Sequence, residues 1–193
     1  MPTRLHPPAA ALTDGVVRLE PLHRRFVRDF DALTADPDVI RFTRVPARRA
    51  RGFAASWIEA YVKAWADGSR AGFAILDEHT DAFLGMVALV QLDLSMGEGE
   101  VGYIVAPHAR GRGVAGRGIR LLAGWAFREV GLARLEAWID VANDPSKRVV
   151  ERLGFSFEGI RRSVHFKDGQ RADMAVYSLL SGELPRAKAG PPP

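Results

Sequence analysis

The chain has 193 residues, 47% of them hydrophobic and 26% charged, with a formal net charge of +4 and no cysteine. That length suits one domain with a real buried core, and the missing cysteines exclude disulfides, thiolate metal sites and cysteine nucleophiles. No apolar run reaches the length of a membrane span, the proline-rich opening has no secretory core, and the short, separated basic clusters speak against a nucleic-acid face; the expected setting is cytoplasmic.

Residues 1–14 read as a flexible lead-in. Val16 to Leu22 reads as a short strand ended by Pro21. His23 to Leu33 is expected to be helical, with Phe26, Val27, Phe30 and Leu33 at helical spacing. Asp36-Pro37-Asp38 breaks it. A second helix is expected over 50–66, where Trp57, Tyr61 and Trp65 are either core or a pocket wall. Strands follow at Gly72–Leu76 and Phe83–Leu92, an antiparallel hairpin, then at Glu100–Ala106, which Pro107 ends. A helix is expected over 113–130, with Gly131 as its stop. Arg134–Val141 reads as a strand, Pro145–Leu153 as a short helix, and Phe155–Ser163 and Met174–Leu180 as strands around Lys167-Asp168-Gly169. Residues 15–182 then form one α/β (α+β) domain: a single mixed, mostly antiparallel sheet of six to seven strands with helices on both faces. Residues 183–193, rich in proline and alanine, read as a disordered tail.

The segment between the strand Glu100–Ala106 and its helix carries the chemistry. It reads Arg110-Gly111-Arg112-Gly113-Val114-Ala115-Gly116, with Arg117 beyond. A helix start has unpartnered amides and a partial charge of about +0.5, so it binds anions. Glycine lets the backbone come close to a phosphate. The spacing is also a formal G-x-G-x-x-G, with Asp140 at the end of the next strand, which opens a dinucleotide reading. Three features oppose that reading. Pro107 to Arg110 separates the strand from the first glycine, an antiparallel hairpin precedes the motif, and too few βα units follow.

The same segment resembles the acetyl-coenzyme-A motif of the GNAT acetyltransferase superfamily, Gln/Arg-x-x-Gly-x-Gly/Ala, here Arg110, Gly113 and Ala115. The resemblance covers nearly the whole chain. Val17 to Leu22 resembles the family's opening strand, and Glu100 to Tyr103 the strand leading into the motif. Asn143 to Ser146, Val150 to Phe155 and Glu158-Gly159 resemble the block behind it, and Asp173 to Leu180 the last strand. The combination is similar to the RimJ/RimL-like branch. Gly116 departs from the family pattern. With Gly118 and Gly124 it makes the helix glycine-rich, at up to about 1 kcal/mol each unless close packing compensates.

What the resemblance implies is an acyl-CoA-dependent N-acyltransferase, most simply an acetyl-CoA:amine acetyltransferase acting by direct attack in a ternary complex. The acyl-CoA is expected on the backbone of Ile104, Val105 and Ala106, on residues 110–116, and on Asn143 and Ser146. The acceptor is an amine, either a protein N-terminus or a small molecule. Neither metal, nucleic acid nor membrane is implied, and a homodimer is compatible with the branch. Glu100, on one strand face with Gly102 and Ile104, is the candidate base or else an exposed strand-end acid. Ser146 is the candidate proton donor and Tyr177 its rival. Asn143 either caps the short helix or contacts the cofactor. Glu136 and Asp140 either line the acceptor pocket or pair with arginines. His108 and His165 read as non-catalytic. Two alternatives stay open: a non-catalytic CoA-binding or sensing module, and a transferase of another acyl group such as succinyl. Acceptor choice is expected to lie in residues 23–66 and the loops 93–99 and 161–172.

Overall fold

The computed structural model describes residues 5–185. One eight-stranded sheet runs in the order β1-β2-β3-β4-β5-β6-β8-β7, from β1 (Leu12–Thr13) and β2 (Val17–Pro21) through β3 (Ala71–Asp77), β4 (Phe83–Asp93), β5 (Glu98–Val105) and β6 (Arg134–Asp140) to β8 (Gln170–Leu180) and the edge strand β7 (Ser156–Lys167). All pairs are antiparallel except β5–β6. The mixed, mostly antiparallel architecture is as expected, with two more elements in the sheet than the lowest count.

One added strand is β1, inside the stretch expected to be a loose lead-in. Leu5 and Leu12 are buried in the core, so from residue 5 onward this segment packs on the domain. At the other end, Leu184 packs against the same core and Pro185 lies beside Gly154. Residues 1–4 and 186–193, including most of the expected tail, lie outside the described residues.

On one face of the sheet lie α1 (Val27–Thr34), α2 (Pro37–Phe42) and α3 (Phe53–Asp67). On the other lie α4 (Val114–Trp125) and α5 (Asp144–Arg152). Apolar strand residues alternate accordingly. Phe73, Ile75, Val87 and Leu89 pack under α4, while Ala74, Leu76, Met86 and Ala88 pack under α1 and α3. The first expected helix splits into a 3₁₀ turn at Arg24–Phe26 and α1. The break after it holds a helix of its own: Asp36 accepts from the amides of Asp38 and Val39, with Pro37 in the first turn of α2. Trp65, at the end of α3, sits edge-on to Phe73 and against Trp125 as core.

The glycines of α4 have different reasons. A Cβ on Gly118 would lie 2.7 Å from the Ile75 Cδ1 atom, so this position brings the helix onto the sheet. Gly124 faces the Arg128 guanidinium, and Gly116 faces open space. Close packing therefore offsets the propensity cost at Gly118. Gly118→Val is expected to destabilise the fold by about 1–3 kcal/mol through overpacking, read as a lower midpoint in chemical denaturation. Among the described residues no helix is long and apolar enough to cross a membrane.

Candidate active site

The site begins where two strands part. β5 and β6 pair in parallel only at Glu98–Glu100 against Arg134–Glu136. Beyond that point they diverge, leaving one side of Val101–Val105 without a strand partner. The Ala106 amide donates to the Leu84 carbonyl on the β4 side at 2.9 Å. Alternation along an antiparallel ladder then turns the backbone groups of Tyr103 and Val105 toward the gap. This splits the expected backbone site: Val105 faces the gap, whereas Ile104, which lines the cleft, turns its backbone toward β4, and Ala106 is buried with its amide already bonded there.

A cleft of about 690 Å³ opens through this gap, a size suited to a cofactor-scale ligand. At its mouth stands the start of α4. Gly113 is the N-cap residue, with φ of +76°, and no side chain caps the helix. A Cβ on Gly113 would meet nothing within 4 Å, so its glycine is required by the left-handed turn and leaves a bare cradle. Gly111, Val114, Ala115 and Gly116 line the same cleft. The uncapped amides of α4 thus face a cavity with room for an anion.

The arginines of the loop do not all face that cradle. Arg110 lines the cleft, but its guanidinium bonds Asp36 at 2.6 Å and Asp38 at 3.0 Å, and its Nε donates to the Val105 carbonyl at 3.3 Å. It is a strut between α2 and the end of β5. Burial pushes the Asp36 carboxyl up, but Arg110 and the amides of α2 outweigh it and hold that carboxyl below the ordinary carboxylate range. Arg117 pairs with Asp14 at 2.5 Å. Arg112 is exposed and stands outside the cleft lining.

Across the cleft, the Asn143 Oδ1 atom accepts from the Ser146 amide at 3.2 Å and caps α5, while Asn143 and Ser146 both border the cavity. The Ser146 hydroxyl shares a 2.6 Å hydrogen bond with the Tyr103 hydroxyl. Burial pushes the Tyr103 phenol up to about 12, so it stays neutral. In the sequence Tyr103 stands only as part of the strand that leads into the motif. Strand alternation, which sets it on the face opposite Glu100, was the available signal.

Tyr177 does not join this group. It is buried under α5, stands outside the cleft lining, and donates to Glu151 at 2.9 Å. Burial and the Glu151 carboxylate hold its phenol up at about 12. The rival-donor reading is corrected by position: Ser146 reaches the cleft and Tyr177 does not.

Glu100 sits at the apex of the divergence, facing α2 and α3. It is not the exposed strand-end acid of the alternative reading, since its side chain is 12% exposed. Its Oε2 atom is buried without a hydrogen bond, with the Arg44 guanidinium 3.7 Å away. Burial pushes the Glu100 carboxyl up, Arg44 draws it partly back, and Glu136 across the strand pair adds to the rise. Glu136 itself pairs with Arg134 at 2.6 Å and accepts from the Trp138 indole at 2.7 Å, outside the cleft lining. Asp140 and Trp138 do line it.

On the same side Trp57, Tyr61 and Arg70 form the wall. So does His165, expected from sequence to be non-catalytic. Burial and the charges of Arg44 and Lys167 depress its pKa, so the ring is neutral near pH 7. His108 is exposed and stands apart from the cleft. The loop carrying Arg44 is pinned by the β7–β8 hairpin tip: Lys167 Nζ donates to the carbonyls of Ile40 and Thr43, and Asp168 accepts from the Ala47 amide.

A sheet parted between two parallel strands, with an open helix start at its mouth and a buried carboxylate at its apex, places this fold among the N-acetyltransferases. The Acetyltransferase (GNAT) domain matches residues 17–156, and the chain belongs to that family. It is 36% identical over 99 residues to the putative ribosomal N-acetyltransferase YdaF of Bacillus subtilis, a match covering 51% of this chain and 54% of that relative. Its fold is similar to that of RimL, a ribosomal L7/L12 alpha-N-protein acetyltransferase, with a TM-score of 0.80 at 15% identity over 91% of this chain and 99% of that one. The spermidine N-acetyltransferase of Vibrio cholerae, solved with CoA and spermine, superposes with a TM-score of 0.77 at 20% identity over 88% and 98%.

Proposed function

We propose that the protein transfers an acetyl group from acetyl-CoA to a primary amine within a ternary complex. The observation that carries this reading is the pairing, in one cleft, of a bare helix start at Gly113 with a buried, unbonded carboxylate oxygen at Glu100. The first receives the donor's pyrophosphate; the second receives the amine's proton. The pantetheine arm runs along the open edge of β5, bonding the backbone of Tyr103 and Val105. Structure neighbours solved with CoA, such as the Vibrio enzyme, support that choice of donor.

The amine nitrogen attacks the thioester carbonyl carbon. A C–N bond forms and the C–S bond breaks. Glu100, directly or through a water, takes the proton the nitrogen loses. A backbone amide at the open strand edge polarises the carbonyl oxygen. The departing sulfur takes a proton from Ser146, which regains one through the hydrogen-bonded, neutral Tyr103 phenol, and the proton held by Glu100 returns to solvent to close the cycle.

The test is release of free thiol from acetyl-CoA over a panel of amines, with the acylated product identified by mass. Turnover on at least one amine is expected. Bound coenzyme A with no turnover on any acceptor would favour a sensing module instead. Mass spectrometry of acyl-CoA copurified with the protein decides between acetyl and a larger group such as succinyl.

A further inference from the structure

The acceptor side of the cleft holds donors that no side chain among the described residues satisfies. Arg44 and Arg70 both line it. Among the described residues Arg70 has no carboxylate within ion-pair distance, and Arg44 has only Glu100, at 3.7 Å and without a hydrogen bond. Tyr61, 3% exposed, lines the same wall, with no hydrogen-bond partner for its hydroxyl among the described residues. Burial pushes this phenol up to about 12, while the charges of Arg70 and Arg44 both pull it back. The Trp57 indole N–H, also in this wall, is buried and unpartnered.

Of the acids near these donors, Asp67 at the exposed end of α3 acts on Arg70 without pairing with it and accepts from the Ser69 amide at 2.9 Å. Asp38 is paired with Arg110. Asp140 accepts from the Ala142 amide at 2.8 Å, within the turn after β6. Arg161 adds a further guanidinium, stacked 4.2 Å from the Trp138 ring at the cleft wall. Glu100 is the buried acid beside Arg44, and the proposed reaction needs it for the amine. A polyamine would bring only more donors to this wall. A carboxylate or phosphate brings acceptors in the geometry that a guanidinium fork bonds best.

Resting on the acetyltransferase reading above, we infer that the acceptor carries an anionic group a few atoms from its amine, held by Arg44 and Arg70 with Tyr61 on the same wall. The amine end reaches Glu100, and the anionic end stays at the arginine wall. Long-range attraction to the same arginines draws such acceptors into the cleft.

Matched acceptors test this: phosphoethanolamine against ethanolamine, and a dipeptide against its C-terminal amide, with spermidine as the polycation. In at least one pair the charged member should show a KM lower by about ten-fold or more, an advantage that shrinks as salt screens it. The responding pair tells phosphate from carboxylate. In Arg70→Ala the charged-to-uncharged ratio should collapse toward one, and Arg70→Lys should restore part of it, with circular dichroism confirming that both variants fold. Preference for spermidine, or a ratio near one in the parent protein, overturns the inference. If no amine of any charge is acylated, the acetyltransferase reading fails by itself. Equilibrium dialysis of phosphoethanolamine against the CoA-loaded protein then decides the anion claim: binding that Arg70→Ala removes upholds it, and no binding ends it.

Discussion

Replacing Gly113 by glutamate is expected to weaken coenzyme A binding by about 100-fold or more, near 3 kcal/mol, while the domain stays folded. Two effects act together. Gly113 sits at φ of +76° at the start of α4, where a side chain costs about 1–3 kcal/mol of backbone strain. The larger effect is electrostatic: a carboxylate would occupy the space that is bare around Gly113, at the helix end that attracts anions. Gly113→Ala separates the two, because it carries the strain without the charge, and it should retain most of the affinity. Isothermal titration with coenzyme A measures both. Unchanged affinity in Gly113→Glu would remove the α4 start from the donor site.

Glu100→Gln is expected to lower kcat by about 100-fold or more, the range of a lost general base, with little change in coenzyme A affinity. The pH profile carries the sharper sign. Burial raises the Glu100 carboxyl above its ordinary value, and a base works only when deprotonated. The parent rate should therefore fall as pH drops through that raised pKa, an acid limb above the usual carboxylate range. Arg44 opposes the rise, so Arg44→Ala should move the limb to higher pH. Stability has the opposite sense. A carboxyl raised on folding contributes stability below its unfolded pKa, and that contribution is lost as pH rises through the folded value. At neutral pH the glutamine variant should thus melt no lower than the parent. A parent-like rate and pH profile in Glu100→Gln would mean that another group takes the proton.

Much of this site could be read from sequence because it is built locally. The strand, the four-residue offset, the glycine pair and the helix are contiguous, and the cap at Asn143 lies three residues from the amide it satisfies. The missed parts were of two kinds. Helix α2 had a readable signal in Asp36-Pro37, a capping residue before a first-turn proline. Tyr103 and Arg44 had only weak ones. Tyr103 gains meaning from a hydroxyl 43 residues away, and Arg44 from a loop fastened by a hairpin tip more than 120 residues further along.

Tyr177 and Ala106 show the same limit from the other side. Periodicity put both on strands near the right chemistry, yet the direction a side chain or amide takes depends on the neighbour it packs against. Tyr177 found Glu151, and Ala106 found Leu84.

By itself the sequence determined the family, the mixed sheet with helices on both faces, and the glycine-flanked start of α4, because these follow from short-range periodicity, turn residues and motif order. Only the tertiary structure decided that β5 and β6 part after Glu100, that the carboxylate at that apex is buried beside Arg44, and that Ser146 rather than Tyr177 reaches the cleft. Those features depend on strand register and on contacts between distant segments, and hydrophobic alternation along one strand does not encode where its neighbour stops pairing.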